Sequence, residues 1–212
     1  MLLSQKSQPC NLDEMAFLHQ ACFPGSLSSQ LGKKYARRTL QWFLSDEHRF
    51  LIHVNQDEKM VGYVGGFISQ YPGDGSTSGM LRFAMREAVS GVVRKPWLIF
   101  HKNLRQHYPL VIRNIYQKII PGKKHLVPVK KYLAKEQKIG LVVIGVHPDN
   151  RGNGVFELLM KAFEEESRKR KIEKMVLSVK PDNKRAIRAY QKVAWQIDKE
   201  SISSVDMYKF SN

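Results

Sequence analysis

Cysteine is nearly missing from this chain: Cys10 and Cys22 are its two thiols among 212 residues. Two thiols make no zinc or iron–sulfur ligand pattern and cannot staple a small disulfide-rich domain. Long apolar runs are missing too. Nothing approaches the ~20 residues of a membrane-spanning helix. The first ten residues, Met-Leu-Leu-Ser-Gln-Lys-Ser-Gln-Pro-Cys, contain no apolar core or cleavage pattern of an export signal. Reduced thiols and a cytoplasmic location are therefore expected, although a Cys10–Cys22 bridge stays open. No internal repeat and no low-complexity tract is present, which excludes solenoids and disordered arrays. Acidic residues are scarce. There are 19 Asp and Glu against 35 Lys and Arg, a formal net charge of +16.

That charge is unevenly spread. Residues 70–138 hold 14 Lys and Arg against three Asp and Glu, so this third of the chain carries +11. A solvated face is the ordinary explanation of such a run, but its concentration points to an anionic partner or surface. The same segment opens with the loop Tyr71-Pro-Gly-Asp-Gly-Ser-Thr-Ser-Gly79. It continues with three stretches of helical spacing: Met80–Arg94, then Trp97, Phe100, Leu104 and Tyr108, then Pro109–Ile120. It reads as a basic helical insertion over 70–138 within one domain spanning 1–212. A cap or lid on the sheet is the first reading. Contact with an anionic membrane surface is the second, because Trp97-Leu-Ile-Phe100 sits beside Arg94, Lys95, Lys102 and Arg105. Nucleic acid is disfavoured, since no recognisable binding module is present.

The most informative stretch is Leu141-Val-Val-Ile-Gly-Val-His-Pro-Asp-Asn-Arg-Gly-Asn-Gly-Val-Phe156. β-branched residues end at Pro148. Arg151, Gly152, Asn153 and Gly154 form a turn. Val155, Leu158, Leu159, Ala162 and Phe163 then follow a helical period. The first N–H groups of a helix lack internal partners and lie at the positive end of its dipole, so such a turn can hold phosphate. The turn lacks the Lys-Ser/Thr of one familiar phosphate loop and the third glycine of the other. An ordinary βα junction is the plain alternative. Downstream, Met175–Val179 alternates like a strand. Pro181-Asp-Asn183 starts a helix that places Ala186, Ile187, Tyr190 and Val193 on one face.

These two segments resemble the GCN5-related N-acetyltransferase (GNAT) superfamily. Its pyrophosphate motif, Gln/Arg-x-x-Gly-x-Gly/Ala after a strand ending Val-x-Pro, matches Val146-His-Pro148 followed by Arg151-Gly-Asn-Gly-Val-Phe156. Its second motif, Asn-x-x-Ala-x-x-x-Tyr, matches Asn183, Ala186 and Tyr190. Upstream, Leu12–Phe23 and Lys33–Leu44 read as helices, and Arg49–Val54 and Met60–Ser69 as paired strands, in the family's order. The resemblance implies a mixed α/β fold whose partly splayed sheet is flanked by helices.

It also implies acetyl-CoA as co-substrate in direct acetyl transfer to a primary amine. Arg151, Gly152, Asn153, Gly154 and Val155 would cradle the pyrophosphate. Backbone groups of Ile144 and Val146 would hold the pantetheine arm and thioester, Asn183 would belong to the cofactor site, and Tyr190 would protonate the departing thiolate. A weaker likeness, Cys22-Phe-Pro-Gly25 followed by Leu31-Gly32 with the long basic insert, is to members acting in bacterial polysaccharide synthesis. It implies an amino-sugar acceptor, nucleotide-linked forms included. Peptide amines and polyamines stay open, as does the oligomeric state.

Three departures stand out. Phe156 replaces a small residue. Gly140 occupies a position where relatives carry an acidic or polar residue, a frequent general base. Ala194-Trp195 replaces Gly-Phe. No base is assigned; His147, His53, His101, His107 and Glu47 are the candidates, and Trp195 is expected as an aromatic plug. The contrasting reading is a catalytically degenerate scaffold that binds anionic partners.

Overall fold

The computed structural model describes residues 3–6, 11–69, 76–100 and 137–211. Seven strands form one mixed sheet in the order β1-β2-β3-β4-β5-β7-β6. They are β1 (Leu3–Lys6), β2 (Arg49–Gln56), β3 (Lys59–Ser69), β4 (Lys138–Val146), β5 (Lys174–Val179), β6 (Gln196–Glu200) and β7 (Val205–Phe210). All neighbouring pairs are antiparallel except β4 with β5. The helices are α1 (Leu12–Cys22), α2 (Leu27–Gln30), α3 (Lys33–Trp42), α4 (Ser76–Phe83), α5 (Met85–Arg94), α6 (Val155–Lys169) and α7 (Lys184–Lys192).

Strand alternation sorts the apolar side chains into two cores, one on each face of the sheet. On β2, Phe50, Ile52 and Val54 join α6 and α7 on one face, whereas Leu51 joins α1 and α3 on the other. The first core centres on Phe163, Leu159 and Met175, the second on Met15, Leu40, Phe43 and Tyr63. The helix–sheet approach is close where α6 begins. A Cβ on Gly62 of β3 would lie 2.8 Å from Val155 Cγ1, so the glycine lets the first turn of α6 rest directly on the strand. The edge strand β6 is exposed along its whole length and carries Asp198, Lys199 and Glu200, which guard a free edge against further pairing.

The expected α1, α3, β2, β3, β4, β5, α6 and α7 all form, with ends shifted by a residue or two. The helix expected over Met80–Arg94 is two helices. Ala84 breaks it, with φ −105° and ψ 19°. Pro96–Phe100 is a short 3-10 turn. The remaining helical readings, over Leu104, Tyr108 and Pro109–Ile120, and the candidates His101 and His107, lie outside the described residues. No described helix is long and apolar enough to cross a membrane.

Candidate active site

The site begins with a defect in the sheet. Between β3 and β4 the register runs Gly65 with Val143 and then Gly66 with Leu141, so Val142 is an extra residue on β4. The bulge shows in the packing as well. Ile139, Leu141, Ile144 and Val146 face the α6 core, while Val142 and Val143 both face the α1 core. A bulge bends its strand and sharpens the local twist. At this point β5 stops following β4; their last paired residues are Leu141 and Leu177. Beyond it β4 runs on to Val146 while β5 stays with β7, and the two parallel strands part as a V.

Which backbone groups face that opening follows from one hydrogen bond. The His147 N–H donates to the Val61 carbonyl of β3 at 2.8 Å. Successive residues of a strand direct their polar groups to opposite edges. The N–H groups of Val146 and Ile144 therefore face away from β3, into the opening. The Val146 carbonyl agrees, because it accepts from Arg151 Nε at 3.3 Å and not from β3.

The chain then turns through Pro148–Asn150, where His147 Nδ1 accepts from the Asp149 N–H at 3.4 Å. It reaches α6 through Gly152 and Gly154, at φ 88° and 77°. Both lie in the left-handed region that glycine occupies without strain. No atom stands within 4 Å of the Cβ position at either one. Gly154 is the N-cap and offers no side-chain acceptor, so the first N–H groups of this 15-residue helix are uncapped at the mouth of the V. Arg151 to Gly154 are exposed, and Val155 is buried, so Val155 presents only its backbone. The Arg151 side chain folds back. Besides Val146 it donates to the Cys22 carbonyl at 3.3 Å, tying the end of α1 to the end of β4. That second anchor joins positions 129 apart in sequence and is not visible in the motif.

Tyr190 stands on α7, on the same side of the sheet as α6. Its ring lies between Phe156 (centroids 5.7 Å apart) and Trp195 (6.0 Å apart). Phe156 is thus half-buried in the core beside Tyr190, leaving the exposed glycine turn uncovered. Burial pushes the Tyr190 hydroxyl up to about 12, so it holds its proton throughout the neutral range.

The end of α7 is a Schellman motif. The Trp195 N–H donates to the Tyr190 carbonyl (3.1 Å) and the Ala194 N–H to that of Gln191 (3.0 Å). Trp195 is buried against Tyr190, as an aromatic plug would be. Ala194 takes φ +65°, where glycine is at ease and alanine is not. Asn183 Oδ1 caps the start of the helix by accepting from the Ala186 N–H at 3.2 Å, which gives that residue a structural use on its own.

Gly140 lies on β4 below the V. A Cβ there would be 2.9 Å from the Phe67 ring, so this chain fills the space with an aromatic and leaves no room for an acidic side chain. His53, on β2, is buried, and its Nδ1 has no hydrogen-bond partner among the described residues. A polar cluster that no sequence pattern signals lies near the end of α1. His19 Nδ1 meets the Tyr63 hydroxyl at 2.5 Å, and its Nε2 meets Ser28 Oγ at 2.7 Å. Desolvation pulls His19 down to about 4, so it is neutral. The thiol of Cys22 packs by Gly145 and Tyr63 and is pushed up to about 12 by burial, with Arg151 opposing. It is free among the described residues; Cys10 lies outside them. No described cluster of His, Cys, Asp and Glu could hold a metal ion.

A parted pair of parallel strands leading through glycines to an uncapped helix defines the class. Residues 112–195 match the acetyltransferase (GNAT) family, so this part of the chain is similar to that family. The match begins inside the 70–138 segment. No curated protein matches the chain. Among solved structures it is similar to the ribosomal-protein-S18-alanine N-acetyltransferase of Escherichia coli, at 12% identity and TM-score 0.55, covering 100% of this chain and 95% of that one. It is similar to the PaiA N-acetyltransferase of Thermoplasma acidophilum in complex with coenzyme A, at 11% identity and TM-score 0.56, covering 99% of each. A third is NAA60 of Arabidopsis thaliana in complex with acetyl-CoA, at 11% identity and TM-score 0.57, covering 99% of this chain and 98% of that one. At these identities the likeness is one of fold.

Proposed function

We propose that the chain is an acetyl-CoA-dependent N-acetyltransferase acting on a primary amine. The carrying observation is the V beyond Leu141, where the Ile144 and Val146 N–H groups face open space beside the uncapped start of α6. A diphosphate fits the exposed turn from Arg151 to Val155, because the start of α6 has no side-chain cap and no side chain fills the space over Gly152 and Gly154. Ile144 and Val146 then pair with the amide-bearing arm that leads to the thioester. Asn183 supports this site through the cap that starts α7.

The reaction is a direct transfer. The amine lone pair forms a C–N bond to the thioester carbonyl, and negative charge gathers on its oxygen. A β4 N–H donates to that oxygen, an interaction worth roughly 3 kcal/mol in the transition state. The C–S bond breaks as the carbonyl reforms, and the thiolate accepts a hydrogen bond and then the proton from Tyr190. The amine gives up its own proton to solvent or to a base. Position 140 cannot supply one, so the acceptor enters unprotonated or passes its proton to water.

The acceptor we favour is an amino-sugar carrying phosphate. The likeness at Cys22–Gly25 and Leu31-Gly32 and the +11 charge of residues 70–138 support it, since Lys and Arg pair with phosphate. The basic segment would then cap the acceptor as an insertion within one domain. Release of free CoA, measured with amino-sugar nucleotides, a peptide amine and a polyamine in parallel, tests this. Turnover of the sugar alone supports it, and turnover of the peptide alone replaces it. Absence of both turnover and acetyl-CoA-induced thermal stabilisation would leave the degenerate scaffold.

A further inference from the structure

A second site lies away from the V, where α5 crosses the start of α3. A cavity of ≈430 Å³ is lined there by Gly32, Lys33, Lys34, Arg86, Ser90 and Arg94, with Glu87 at its side. The carboxylate does not neutralise it. Glu87 pairs with Arg38 at 4.0 Å, and Lys33 is held by Asp13 at 3.1 Å. Lys34, Arg86 and Arg94 form no ion pair among the described residues. Three uncompensated cations thus converge on one concavity.

The faces of α5 explain what lies beside it. Ala88 and Val92 turn to the core formed with Leu31, Tyr35 and Leu98. Arg86, Ser90 and Arg94, spaced four apart, share the face that lines the cavity. Val89 and Val93 occupy the strip between those two faces and are exposed, Val93 at 75%. The 3-10 turn that follows exposes Trp97 at 64% and Phe100. Apolar side chains facing water beside unpaired cations have the composition of an interfacial surface.

We propose that this face docks the protein on an anionic lipid surface. Headgroup phosphates enter the cavity against Lys34, Arg86 and Arg94, while Val93, Trp97 and Phe100 enter the interface. The charge complementarity selects a lipid with a net negative headgroup. The cavity shares no residue with the glycine turn or the V, so its occupancy is read separately from acetyl-CoA binding.

The three tryptophans supply the assay. Trp42 and Trp195 are buried in the two cores, so Trp97 is the exposed one. The full chain is titrated with phosphatidylcholine vesicles, with and without phosphatidylglycerol, following tryptophan emission and co-sedimentation. The expected result is a blue shift and quenching by brominated acyl chains with phosphatidylglycerol vesicles only. Partitioning should fall about thirtyfold in R86Q/R94Q, at about fivefold per charge near a typical anionic surface. W97S should lose the emission change and partition less. Thermal stabilisation by acetyl-CoA should be unchanged in both variants. An unshifted emission with bound vesicles, or equal partitioning of R86Q/R94Q, overturns the proposal. So does saturable binding of inorganic pyrophosphate without vesicle binding, which would make the cavity a small-anion site.

Discussion

Replacing Gly154 separates backbone strain from ligand repulsion, because alanine and glutamate share the first and differ in the second. Gly154 sits at φ 77° and ψ 0° as the N-cap of α6, with nothing within 4 Å of a Cβ. Alanine therefore meets no clash. It meets the cost of an L-residue in the left-handed region, about 1–2 kcal/mol. For a chain of this size each kcal/mol lowers Tm by about 2–4 °C, so Gly154→Ala should melt about 2–8 °C lower. Its stabilisation by acetyl-CoA should persist. Gly154→Glu carries the same strain and sets a carboxylate where the diphosphate is proposed to sit. Two unit charges about 5 Å apart at an effective dielectric of about 20 repel by about 3 kcal/mol, a weakening of about two-hundredfold in Kd. The assay is thermal shift across an acetyl-CoA titration, with calorimetry for Kd. Equal Kd in wild type and Gly154→Glu would refute phosphate binding at this turn. Equal losses in both variants would mean that strain alone moves the loop.

Tyr190→Phe should lower kcat by about two orders of magnitude, from loss of a donor worth about 3 kcal/mol, with acetyl-CoA Kd unchanged by calorimetry. Burial keeps the Tyr190 proton on up to about 12, so the pH–rate profile should show no alkaline decline from this group below about pH 11; a decline near 10 that vanishes in Tyr190→Phe would contradict its burial. His19 is pulled from 6.5 to about 4 by burial, so the unfolded chain binds the proton first and stability is lost as pH falls from the unfolded value toward the folded one. Urea unfolding should show a loss of about 2–3 kcal/mol between pH 7.5 and 4.5 that is missing in His19→Gln. Ala194→Gly should raise Tm by about 1–3 °C, because relief of the left-handed strain outweighs the added freedom of the unfolded chain. A lower Tm would mean that the Schellman turn tolerates alanine without strain.

The parts of the fold legible in the sequence are those whose burial repeats with a fixed period. β4 and α6 announce themselves through β-branched residues followed by a helical stripe, and α7 through Asn183, Ala186 and Tyr190. The bulge at Val142 is hidden, because Leu141-Val-Val-Ile144 is apolar at every position and hides a change of face. β1 and β6 escape for the opposite reason. Each is a short polar edge strand, and β6 is exposed throughout. β7 does alternate, with Val205 and Met207 buried, so its period is legible. The glycine turn is legible as a local motif. The bonds from Arg151 to Cys22 and from His19 to Tyr63 are not, because they join segments that meet only once the chain has folded. The break at Ala84 is equally silent, since Met80–Arg94 has an unbroken helical period.

The glycine at position 140 also bears on which amines can react. Only the unprotonated amine attacks, and no carboxylate fits beside Phe67 to remove the proton. An alkylamine with pKa near 10.4 is neutral at pH 7 in about one molecule in 2,500, a handicap of about 4.6 kcal/mol. An amine with pKa near 7.8 is neutral in about one in seven, a handicap of about 1 kcal/mol. Without a protein base, kcat/KM should climb tenfold per pH unit and level off at the acceptor's own pKa. Two acceptors of different amine pKa should then give two different plateaus. A base on the protein would instead impose the same limb on both, since its ionisation belongs to the free enzyme. A common limb would direct the search to a titrating side chain outside β4. Separate plateaus would make acceptor basicity itself a determinant of specificity and count against polyamines.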